Sequence, residues 1–161
     1  MTTWFPVVLE ISIIASAVVS GVFLTFSDFV MRSLDRADRA AGIEVMQVIN
    51  REVFHWVFMA LLLGMSALSP LLAVYAYYNL AETGALFVEA GGIIYFIGVF
   101  VVSLIYNIPM NNRLDRLSHT SAEAAEYWST TYFPKWTYWN YVRAISACVA
   151  AICFLIASLI G

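Results

Sequence analysis

The chain has 161 residues, 62% of them hydrophobic and 12% charged, with a net charge of −3. Ordinary globular chains are roughly 45–50% apolar and about 25% charged, so the composition excludes a soluble domain and implies an integral membrane protein. Nothing in the charge balance points to nucleic acid, and the length is one domain's worth, residues 1–161.

The first apolar run predicts a membrane span over residues 4–31. No Lys or Arg precedes it, Glu10 interrupts its start, and it is too long for a signal-peptide core, so it reads as a retained helix. Ser12, Ser16 and Ser20 recur every four residues, a small-residue stripe on which another helix can pack closely. Asp28 lies on the side of Gly21 and Thr25 and precedes Arg32 by four residues, the spacing of a helical ion pair. It reads as a solvated helix end or as a functional carboxylate.

Between Arg32 and Arg51, Ile43, Met46 and Ile49 repeat every three residues among polar neighbours, which predicts a short amphipathic helix or the start of the next span. The second span is expected over 53–78, with His55 near its entrance and Pro70 as a possible kink. A connector without basic residues leads to the third span, 85–107, on which Gly91, Tyr95, Gly98 and Val102 share a packing face. That span is expected to break at Tyr106-Asn107-Ile108-Pro109-Met110-Asn111, where amides at membrane depth need partners and a proline frees a carbonyl. In the polar stretch that follows, Thr120-Ser121-Ala122-Glu123 fits a capping box for a short helix stopped by Pro134. The aromatic run from Tyr127 to Tyr141 reads in part as a membrane-surface belt, and the last span is expected over 141–160. Cys148 and Cys153, five residues apart on a helix, cannot bridge each other and read as packing residues.

All eight basic residues fall in or beside the two polar loops. The positive-inside rule then puts both loops in the cytoplasm and both termini outside. The expected fold is all-α: a four-helix transmembrane bundle with short amphipathic helices in the two cytoplasmic loops.

Trp136, Trp139, Asn140 and Arg143 fall at i, i+3, i+4 and i+7, one stripe if the last helix begins early. A buried guanidinium needs an acceptor, for which Asp28 or the carbonyl freed by Pro109 are candidates. These groups either tie helix ends together or line a small-molecule pocket. Two distant histidines do not make a metal site.

Gly21-Val22-Phe23 with Phe29-Val30-Met31, then Met46-Gln47-x-Ile49-Asn50-Arg51, Tyr106-Asn107-Ile108-Pro109-Met110-Asn111 and Trp136-x-x-Trp139-Asn140-x-x-Arg143 resemble the anthrone-oxygenase-like family of small four-helix membrane proteins. The resemblance covers nearly the whole chain, which reads like a bacterial member of the inner (plasma) membrane. It implies an oxidoreductase that needs no metal or organic cofactor and takes anthrones to anthraquinones with molecular oxygen. On that reading His55, within a span and cheaper to bury neutral than a carboxylate, is the expected base. Asn107, Asn140 and Arg143 would hold the anion. Asp28, Tyr106, Asn111, Trp136 and Trp139 would bind the substrate. The alternative is a non-catalytic bundle that binds a lipid, quinone or other hydrophobic ligand, or a small subunit packing on a partner through the serine stripe. The expected partners are the bilayer and a hydrophobic small molecule; association with a second copy stays open.

Overall fold

The computed structural model describes residues 4–55 and 57–160, apart from the side chains of His55 and Glu82. It consists of α1 (Trp4–Arg36), α2 (Arg39–Glu52), α3 (Val57–Asn79), α4 (Thr83–Asp115) and α5 (Ala122–Ile160). All but α2 are long and apolar enough to cross a membrane. In lipid only a helix or a closed barrel satisfies its own backbone, and these helices keep apolar residues on their outer faces too, as at Val7, Ile11, Ile14 and Val18 of α1. The protein is an integral membrane protein with an all-α, four-helix transmembrane bundle.

Within the bundle, α5 packs along both α1 and α4, and α3 packs along the first half of α4. Ser12 and Ser16 are fully buried, and Ser20 Oγ donates to the Ala144 carbonyl of α5 at 2.8 Å. The serine stripe is therefore consumed inside the bundle and offers no free face to a partner. The α4 packing face is as the sequence suggests. A side chain at Gly91 would strike Phe154, one at Gly98 would strike Ser146, and Tyr95 is buried between them.

Neither Pro109 nor Pro134 ends a helix, contrary to expectation. A proline removes one donor and crowds the carbonyl four residues back. Here the backbone widens to an i→i+5 pattern over Ser103–Asn107, just before Pro109, and over Trp128–Trp136, around Pro134. The extra residue per turn makes room and lets the helix run on. As a result α4 continues to Asp115, and α5 starts at Ala122, where Ser121 Oγ caps the Ala124 N–H at 3.1 Å. The expected short helix of the second loop is the opening of α5. At 1.5 Å per residue α5 is about 58 Å long, well beyond a hydrocarbon core of about 30 Å.

The overhanging ends form a second core. Met31, Ile43, Met46, Leu114, Tyr127, Trp128, Tyr132 and Trp136 bury one another outside the bundle proper. Much of the aromatic run is thus the inside of a cap, although Tyr138 is exposed as a belt residue would be. Gln47 Nε2 fastens α2 by donating to the carbonyls of Leu114 (2.7 Å) and Leu117 (2.9 Å). Arg51 pairs with Asp115, and Trp128 Nε1 donates to Asp35 Oδ1 at 2.9 Å.

Candidate functional site at the junction of bundle and cap

Where the cap meets the bundle there is a cavity of about 170 Å³. Its apolar walls include Phe23 and Phe26 of α1, Met46 and Ile49 of α2, Phe58 and Leu62 of α3, and Phe100 of α4. Phe54, Leu63 and Leu104 also line it and are themselves exposed, so the opening lies among lipid-facing side chains. Its polar groups are Asn50, Ser103, Asn111, Asn140 and Arg143, with the Trp136 indole beside them.

Arg143 dominates the site. It is 7% exposed, and its guanidinium lies 4.1 Å from the Phe23 ring centroid and 5.5 Å from that of Trp136. Nη1 donates to Ser103 Oγ at 3.2 Å and Nη2 to Asn140 Oδ1 at 2.5 Å; Nε has no partner among the described residues. Ser103 can accept because its own proton goes to the Val99 carbonyl at 2.7 Å. The ion pairs among the described residues, Arg32–Asp28, Arg39–Asp35 and Arg51–Asp115, leave Arg143 without a carboxylate. A cation removed from water costs several kcal/mol. Ring contacts recover about 2 kcal/mol when desolvated and each hydrogen bond to the charged group about 1.5–3 kcal/mol, which leaves the Nε proton, unmet by any described residue, as the place where an anion would gain most.

Asn140 holds the cation in place. Its Nδ2 donates to the Phe23 carbonyl and to Ser27 Oγ, both at 2.6 Å, and its Oδ1 takes the bond from Arg143. Both its amide protons and one lone pair of Oδ1 are used, so it orients Arg143 while fastening α5 to α1. On the opposite wall, Asn111 Oδ1 accepts from Trp136 Nε1 (2.7 Å) and from Tyr132 Oη (2.9 Å), and Tyr132 Oη accepts from Asn50 Nδ2 at 3.1 Å.

Of the other anticipated residues, Asn107, Tyr106, Trp139 and Asp28 stand outside the cavity lining. Asn107 is fully buried between α4 and α5, its Nδ2 donating to the Trp136 carbonyl at 3.2 Å. Tyr106 and Trp139 stack on each other, with centroids 3.6 Å apart and planes 6° from parallel. Asp28 is exposed and pairs with Arg32 at 2.9 Å, the solvated helix end and not a partner for Arg143. His55 closes the short turn Val53–His55 that joins α2 to α3 and lends Val53 and Phe54 to the cavity; its side chain lies outside the described residues.

Phe23, Asn50, Ser103 and Tyr132 belong to the site without having been singled out for it. Asn50 was within reach, because it continues the inward stripe of Ile43 and Met46 at i+7 and i+4. Tyr132 was not, because its inward direction depends on the widened turns around Pro134.

No curated protein and no solved structure matches this chain. The sequence profile described as anthrone oxygenase matches residues 51–153, a stretch that runs from the end of α2 into α5 and carries Asn111, Trp136, Asn140 and Arg143. The chain belongs to the anthrone oxygenase family.

Proposed function

We propose that the protein is a cofactor-independent oxygenase for a hydrophobic aromatic carbon acid that enters the cavity from the bilayer. The observation that carries this reading is Arg143, a buried cation that no carboxylate among the described residues pairs, in a cavity with mainly apolar walls. A methylene held between two aromatic rings that a carbonyl bridges on the other side is acidic, because its anion is delocalised through the rings onto that carbonyl oxygen. A base removes one proton, and the anion gives an electron to dioxygen. Recombination and loss of water turn CH₂ and O₂ into C=O and H₂O, with the substrate itself as the reductant. The negative charge collects on the ring carbonyl oxygen, where preorganised donors are worth roughly 2.7–4 kcal/mol each. Arg143 supplies them, Asn140 keeps it in place, Trp136 stacks on the ring and His55 is the proposed base. Asn107 supports the same wall from behind.

A cavity of about 150 Å³ takes one benzene ring, so the site's about 170 Å³ fits the reacting ring. The remaining rings of a tricyclic substrate would lie in the opening beside Leu63 and Leu104. We place the basic end in the cytoplasm on the positive-inside rule; a cysteine at Arg36 should then react with impermeant reagent from that side alone.

In detergent, the wild-type protein with anthrone should consume one O₂ per anthraquinone formed, and His55→Ala and Arg143→Ala should each abolish turnover while the helical spectrum persists. Unchanged turnover in both variants would reject the assignment. The small cavity volume also suits a non-catalytic reading, in which a lipid tail or quinone ring is held. Tight binding of such a molecule without oxygen uptake on any acidic aromatic would favour that reading.

A further inference from the structure

The chain of bonds through Asn50, Tyr132, Asn111 and Trp136 has a direction that does not depend on how the amides are drawn. Indole Nε1 is a donor only. The Asn111 atom 2.7 Å from it must therefore be the carbonyl oxygen, because an amide nitrogen there would set donor against donor. Tyr132 Oη, 2.9 Å from that same oxygen, must then give its proton to it. Its remaining capacity is as an acceptor, so the Asn50 atom 3.1 Å away must be the amide nitrogen. One indole proton thus fixes both amides. Tyr132 is fully buried and lies between two asparagines that both line the cavity. The unused ends are Asn50 Oδ1, an acceptor from α2, and Asn111 Nδ2, a donor from α4. Neither bonds another described residue.

We infer that Asn50 and Asn111 form an acceptor–donor pair that selects a ring carrying a free hydroxyl, with Tyr132 as the positioning residue that holds one end of the pair an acceptor and the other a donor. A hydroxyl gives its proton to Asn50 and takes one from Asn111. A methyl ether at the same position leaves the Asn50 oxygen buried without a donor. The inference rests on the reading of the cavity as an aromatic-ligand site, and it adds a specificity that Arg143 cannot supply, since Arg143 offers only donors.

The test measures affinity of the full-length protein in detergent for 2-hydroxyanthraquinone and 2-methoxyanthraquinone, with the phenol un-ionised, by quenching of tryptophan fluorescence. Neither compound can be oxidised at a methylene, so binding is read apart from turnover. The wild-type protein should prefer the hydroxyl compound by roughly tenfold or more, the cost of one buried polar group left unpaired. Asn50→Leu, which removes the acceptor, and Tyr132→Phe, which frees the Asn50 amide to turn its nitrogen to the ether, should both bring the ratio of the two affinities close to one. The ratio cancels any general loss of affinity or folded fraction, which is all that a structural role would produce. If Asn50→Leu does not fold, Tyr132→Phe, which removes only the relaying hydroxyl, carries the test alone. Equal wild-type affinities would overturn the selection while leaving the cavity reading standing. A preference that survives in the variants would overturn the roles of these residues. Binding of neither compound would overturn the cavity reading, and this inference with it.

Discussion

The two halves of the molecule solve different problems. In the half that includes the first part of α4, helices meet through small residues and apolar contacts. Gly92 lies so close to α3 that an added Cβ would strike the Ser69 carbonyl, and Phe154 and Val88 are fully buried. Few polar side chains there reach another helix. At the basic end the helices pass through widened turns, and the interior holds Asn107, Asn140 and Arg143 together with a cavity. Widened turns break the regular face of a helix and are frequent at functional sites. Stability is thus concentrated in one half, and polar groups that are costly to bury in the other.

That contrast can be broken most severely at Arg143. Arg143→Met keeps length and apolar stem but removes the charge. It should lower turnover on anthrone by about 10²-fold or more, while the melting temperature in detergent stays level or rises, because no buried carboxylate is left unpaired. A collapse in stability instead would make Arg143 a structural tie. In the other half, Gly92→Leu should cost about 1–3 kcal/mol of stability through overpacking, with ligand affinity per folded molecule unchanged. Ser20→Ala, which removes the bond to Ala144, should cost about 0.6 kcal/mol, the average for such bonds in a membrane bundle.

The smallest effect is expected at the cap. Burial pushes the Asp35 carboxyl up, but hydrogen bonds from Trp128 and Arg39 and the charge of Arg39 outweigh it, so its pKa falls below the ordinary 3.8. Because the folded value is the lower one, this stabilisation is complete above 3.8 and is lost as pH falls through the folded value. Acid titration followed by tryptophan fluorescence should show the cap loosening below pH 3.8 in the wild-type protein, and Asp35→Asn should flatten that slope.

Composition and apolar runs were enough for the fold class, since residues that are apolar all round a helix leave little choice but lipid. The stripe of Trp136, Asn140 and Arg143 was legible for a similar reason: polar groups at helical spacing with indoles cannot face hydrocarbon. Trp139 shared that spacing yet stacks on Tyr106, because spacing alone does not distinguish a cavity-lining indole from one that packs on a neighbouring helix. The widened turns hid the continuation past Pro109 and Pro134, where proline alone argued for a stop. The serine stripe showed close packing but not its partner, which is set by tertiary contacts with α5.

On the proposed function, the ring oxygen that gathers negative charge in turnover is met by Arg143 inside the junction cavity. An experimental structure with 2-hydroxyanthraquinone bound tests that placement most directly. We expect one ring between Phe23, Phe58 and Trp136, with a ring oxygen within hydrogen-bond distance of the guanidinium and the other rings extending past Leu63 and Leu104. A ligand found instead in the groove lined by Pro70, Tyr77, Glu89 and Phe96 between α3 and α4, with the junction cavity empty, would contradict it.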